Sequence, residues 1–85
     1  MRIQVRLFAI LRERAATAEI ALDLPVGATV ATAVDQITAR FPEIRDLVRK
    51  AAFAVNREYA AADRILREGD ELALIPAVSG GCPAR

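Results

Sequence analysis

Few residues in this chain can do covalent chemistry. Across 85 residues there is no His, and the single Cys is Cys82. Without His there is no imidazole for general-base work, no Ser-His-Asp or Cys-His arrangement, and no His metal ligand. One Cys excludes an internal disulfide, a Cys zinc site and an iron–sulfur cluster within one chain. A lone thiol fits a reducing compartment. The segment that stands out is Pro76-Ala77-Val78-Ser79-Gly80-Gly81, followed by Cys82-Pro83-Ala84-Arg85. Gly lacks Cβ, so Gly80 and Gly81 can thread a passage too narrow for side chains. From Pro76 to Gly81 an extended chain reaches at most about 20 Å, at roughly 3.3–3.6 Å per residue. A Gly pair taken alone reads as a loose end. A thiol beside Gly81 raises the idea of an N-to-S acyl shift. Neither His nor Asn stands next to it, and an exposed thiol is the plainer reading.

The elements that must position such a tail show in the hydropathy pattern. Arg2–Phe8 begins with strict alternation: Ile3, Val5 and Leu7 against Arg2, Gln4 and Arg6. That predicts a half-buried strand. Ile10–Arg14 fits a helical turn. Glu19–Leu24 alternates again and predicts a second strand, paired with the first and stopped by Pro25 and Gly27. Thr29 stands where an N-cap belongs. Val30, Val34, Ile37 and Phe41 then fall on one helical stripe, which Pro42 ends. Glu43–Lys50 predicts a short helix closed by Arg49 and Lys50. Phe53–Val55 predicts a strand entering an Asn56-Arg57 turn, with Tyr59 on the return. Glu68-Gly69-Asp70 is a turn signal. Glu71–Ile75 predicts a last strand, with Leu72 and Leu74 on one face and Ala73 and Ile75 on the other. Pro76 suggests that this strand frays towards an edge, and periodicity alone leaves the order of the first and last strands in the sheet open. Two strands, a helix across them and further strands make one α+β domain with helices on one sheet face.

Composition narrows the function classes. Twelve basic against 11 acidic residues give a net charge of +1, which argues against nucleic-acid binding by charge. No apolar run approaches the ~20 residues of a membrane span, and the alternating N-terminus has no signal-peptide core. The expectation is a cytoplasmic protein with no membrane or nucleic-acid partner.

Three features together resemble a known family. They are Leu7-Phe8-Ala9 at the end of the first strand with Leu11-Arg12-Glu13 just after it, the Gly69-Asp70-Glu71 turn, and the Pro76-x-Val78-Ser79-Gly80-Gly81 ending. Over residues 1–81 the chain resembles the small subunit of molybdopterin synthase, a MoaD-type sulfur carrier of the ubiquitin-like β-grasp family. The resemblance implies a β-grasp domain over residues 1–78, with a mixed sheet of about 4–5 strands and a helix packed across one face. Residues 79–85 would form a flexible tail. It implies that a ubiquitin-activating-like enzyme uses ATP to adenylate Gly81. The acyl-adenylate would become a thiocarboxylate, and the large catalytic subunit would receive the tail and pass its sulfur to a pterin precursor. The carrier itself would bind no cofactor and no metal. A carboxylate is a poor electrophile and adenylation supplies a leaving group. Those catalytic groups belong to the partners, which fits a chain without His.

One feature departs from the family pattern. Family carriers end at the second glycine, whereas here Gly81 is in a peptide bond to Cys82. Three readings follow: a processing peptidase removes Cys82–Arg85, the four residues are a cloning remnant, or the chain is not a carrier. Pro83 would restrict which proteases act. Phe8, Ile75 and Val78 are expected to form an apolar patch beside the tail and, with Arg12, Pro76, Ser79 and Gly80, to bind the partners. Tyr59 is a candidate for the rim of that patch. Arg12 and Glu13 are more simply read as surface ion pairs. Val30, Val34, Ile37, Phe41, Leu47 and Phe53 are expected in the core. Two other readings stay open: within the same class, a carrier feeding thiamine, a cysteine-type metabolite or RNA thiolation, and in a different class, a β-grasp interaction module with no thiocarboxylate.

Overall fold

A computed structural model describes residues 1–76 of the chain. Val78, Ser79, Gly80, Gly81 and the Cys82–Arg85 extension lie outside the described residues. The expectations for them are therefore not addressed by the fold.

Five strands form one mixed sheet: β1 (Arg2–Leu7), β2 (Glu19–Asp23), β3 (Ala52–Val55), β4 (Glu58–Ala60) and β5 (Glu71–Ile75). Their order is β2-β1-β5-β3-β4. β1 pairs antiparallel with β2 and parallel with β5, and β5 pairs antiparallel with β3. Alternation decides which side faces the core. Ile3, Val5, Leu7, Ile20, Leu22, Val55, Leu72 and Leu74 are buried on one face. Arg2, Gln4, Arg6, Glu71, Ala73 and Ile75 take the other face, which the period-two pattern requires. The helices cover the buried face. They are α1 (Ala9–Ala15), α2 (Val30–Arg40) and α3 (Arg45–Arg49), with a single 3₁₀ turn at Pro42–Ile44. This is the β-grasp arrangement.

Local chemistry explains most boundaries. The Thr29 hydroxyl accepts from the Thr32 N–H at 3.4 Å, capping α2. Pro42 follows Phe41, and the helix stops there. The helix stripe differs from the expected one. Val30, Ala33, Ile37, Ile44 and Val48 are buried, whereas Val34, Phe41, Leu47 and Phe53 are partly exposed and pack at the margin of the core. Ala33 is too small to announce itself in a hydropathy pattern, yet it lets α2 lie close to the sheet. Leu66, with 1% exposure, also belongs to the core. It is held by an N–H bond to the Ala28 carbonyl at 2.8 Å, next to an isolated Thr29–Ile65 bridge.

The expected edge position of Pro76 is not observed. β5 is the central strand, bonded on both sides. Pro76 comes one residue after its last ladder position and so costs the sheet no donor.

Candidate functional site

The open face of the sheet has a definite relief, set by register. Ala73 lies opposite Arg6 on one side and Ala54 on the other, and Ala54 lies opposite Tyr59. The two alanines lower the middle of this row, and the larger side chains rise around them. The result is a depression of about 260 Å³ lined by Arg6, Phe8, Ala54, Arg57, Tyr59, Glu71, Ala73 and Ile75.

Each rim residue is placed by the chain. Leu7 is level with Leu74 in the parallel ladder, so Phe8 and Ile75 leave their strands at the same end of the sheet. Phe8 is still extended (φ −124°, ψ 153°) and is the residue before α1. Phe8 is 38% exposed. The Arg6 guanidinium lies 5.8 Å from the Phe8 ring centroid and binds Glu71 at 3.2 Å. Arg6 therefore joins β1 to β5 while lying over the Phe8 ring face, and the cation–π contact favours this ring position. Tyr59 is 79% exposed, at the far side of the depression.

Arg57 reaches the rim from the β3–β4 turn. Val55 and Glu58 are paired, so Asn56 and Arg57 form a two-residue connection. Both have positive φ, 51° and 72°, as a type I′ turn requires. The Asn56 side chain ties this turn to the start of β5. Its Nδ2 donates to Asp70 Oδ1 at 3.0 Å and its Oδ1 accepts from the Glu71 N–H at 3.0 Å. Asp70 also accepts from the Arg67 N–H at 2.8 Å. Gly69, at φ 84°, makes the preceding reversal possible.

Of the candidate residues read from sequence, the structure brings Phe8, Ile75 and Tyr59 together around one depression. Pro76 follows Ile75 at the point where the chain leaves the sheet. Arg12 is not brought there. It is exposed on α1, and neither it nor Glu13 forms an ion pair among the described residues, contrary to the surface pairing expected. An exposed pair gains little over solvation, so nothing compels one. Sequence reasoning passed over Arg6, Ala54, Arg57, Glu71 and Ala73 as site residues. The usable signal was the alternation that sets Ala73, a small residue, on the same face as Ile75.

A profile of the ThiS family matches residues 5–81. The chain belongs to the ThiS family. The match runs from inside β1 to Gly81 and leaves out Cys82–Arg85. Two relatives in this family are named molybdopterin synthase sulfur carrier subunit. The one from Arabidopsis thaliana is 35% identical over 79 residues, covering 93% of this chain and 82% of the relative. The one from Chlamydomonas reinhardtii is 37% identical over 83 residues, covering 95% and 100%. The crystal structure of SAMP1 from Haloferax volcanii superposes with a TM-score of 0.87 at 32% identity, covering 95% of this chain and all of that one. The ThiS-family match therefore takes in the described domain from Val5 onward and continues through Gly80-Gly81.

No described helix is long and apolar enough to cross a membrane.

Proposed function

We propose that this chain is the sulfur-carrying small subunit of molybdopterin synthase. The observation that carries the proposal is where the family match ends, at Gly81, within a chain whose full-length relatives are named for that role. In this reading a processing peptidase removes Cys82–Arg85 and frees the Gly81 carboxylate. A ubiquitin-activating-like enzyme adenylates it with ATP and releases pyrophosphate. Hydrosulfide-level sulfur then attacks the acyl carbon, the C–O bond to AMP breaks, and a thiocarboxylate is left.

The domain's part is presentation. Gly80 and Gly81 carry no side chains past Cα, so the end group can enter a narrow site on the large subunit. That subunit transfers the sulfur to a pterin precursor. The open sheet face is the docking surface in this reading: Phe8 and Ile75 flank the end of β5, and the depression behind them takes an apolar group of the partner. The carrier supplies no base and no metal to the reaction.

The test is an intact mass of the protein purified from its own cells while the pathway runs. The expected species ends at Gly81 with one oxygen replaced by sulfur. Retention of Arg85 in every molecule would refute the carrier role and favour a β-grasp interaction module.

A further inference from the structure

The β3–β4 turn contains a choice that the turn itself does not need. Both central residues must have positive φ, where Asn and Gly are least strained. Asn56 meets that need and uses its side chain to lock the turn. Arg57, at φ 72°, gains nothing from the conformation, and a long side chain there is strained. Glycine would make the same turn more cheaply. Yet Arg57 projects to the rim of the apolar depression, beside Tyr59 and across from Phe8 and Ile75. The other rim cation, Arg6, is neutralised by Glu71. The ion pairs among the described residues are Arg2–Asp23, Arg6–Glu71 and Arg49–Asp46, and Arg57 belongs to none of them. Among the described residues, the depression thus has an apolar floor, one internally compensated cation and one uncompensated cation. Its complement is an apolar side chain flanked by a carboxylate.

We propose that Arg57 is a specificity contact of the docking face, held in a strained turn so that its guanidinium can engage an acidic side chain of the large subunit. A guanidinium at an interface rim meets a carboxylate in bidentate geometry and selects against partners that lack one. Backbone strain kept at a position with no structural use for it is consistent with a functional demand. The inference rests on the docking reading above and adds to it the charge of the partner.

The test measures affinity of the form ending at Gly81 for the purified large subunit, together with urea unfolding of the carrier alone. Arg57→Gly is expected to raise the unfolding midpoint while weakening binding by roughly three- to tenfold at low ionic strength. Arg57→Gln keeps the Cβ and the strain, so it should weaken binding similarly and leave the midpoint unchanged. Both losses should shrink at high salt. Ala73→Gln fills the depression without changing charge and should weaken binding whatever Arg57 does. If Ala73→Gln weakens binding but both Arg57 variants bind as tightly as wild type, the role given to Arg57 is wrong and the docking face stands. If Ala73→Gln also binds as wild type, the docking face itself is wrong and the Arg57 contact falls with it.

Discussion

Replacing Asn56 should separate two contributions that meet at one residue. Its side chain makes two hydrogen bonds, to Asp70 and from the Glu71 N–H, and its backbone sits at φ 51°. Both bonds are exposed, so each is worth the lower part of the usual net range, about 0.5–1 kcal/mol. An Ala in this left-handed conformation adds about 0.5–1 kcal/mol relative to Asn, which tolerates it better. Asn56→Ala should therefore cost about 1.5–3 kcal/mol. Asn56→Gly loses the bonds but not the conformational ease, and should cost about 1–2 kcal/mol. In urea, with a slope of about 1 kcal/mol/M, midpoints fall by about 1–3 M. Far-UV circular dichroism reports them, since the chain has no Trp. Asn56→Asp keeps the acceptor for Glu71 N–H but sets a second carboxylate against Asp70. One of the two carboxyls is then held above its unfolded value. Its proton binds the folded state more tightly, so stability relative to wild type should recover as the pH falls from 7 towards 4. Wild-type midpoints in both Asn56→Ala and Asn56→Gly would mean that backbone pairing alone holds the turn, and that the side-chain lock contributes nothing.

Three further outcomes are expected. Ala16 ends α1 at φ 61°, so Ala16→Gly should stabilise by about 0.5–1 kcal/mol and raise Tm by about 2–8 °C in a thermal scan. Leu66→Ala should cost about 2–5 kcal/mol, out of a total of roughly 4–13 kcal/mol for a chain this size, whereas Val26→Ala, at a position 91% exposed, should stay within about 0.5 kcal/mol by urea titration. The Arg2 guanidinium hydrogen-bonds Asp23 and, with its charge, holds that carboxyl below the usual range. The unfolded chain then binds the proton more readily, so the pair's contribution is present above about pH 4 and is lost as pH falls through the folded value. Asp23→Asn should flatten the acid loss of stability, and about 1 M salt should erase the difference in this exposed pair.

β1, β2 and β5 were legible in the sequence because each alternates buried positions with more open ones. Ile3-Val5-Leu7 and Leu72-Leu74 point inward as their alternation requires. The α2 start was legible because Thr29 is a chemical cap. Strand order was not legible. Whether β5 lies at the edge or the centre depends on pairing Gln4 with Glu71, and no local pattern encodes contacts that far apart. Pro76 misled for that reason: its missing N–H matters only if the ladder continues to it. Leu66 was hidden between Ile65 and Arg67 with no period to mark it. The apolar patch at the end of β5 was half legible. Phe8 and Ile75 broke or opposed the core pattern, but the depression between them exists only because register lines up Ala73, Ala54 and Tyr59 across three strands.

The central place of β5 has a mechanical consequence. Any partner that grips the chain beyond Pro76 pulls β5 along its own axis. The hydrogen bonds to β1 and to β3 then share the load in shear, instead of opening one at a time as they would on a peeled edge strand. Under the proposed carrier role, an end group would be drawn into a tight site and withdrawn while the domain behind it stays folded.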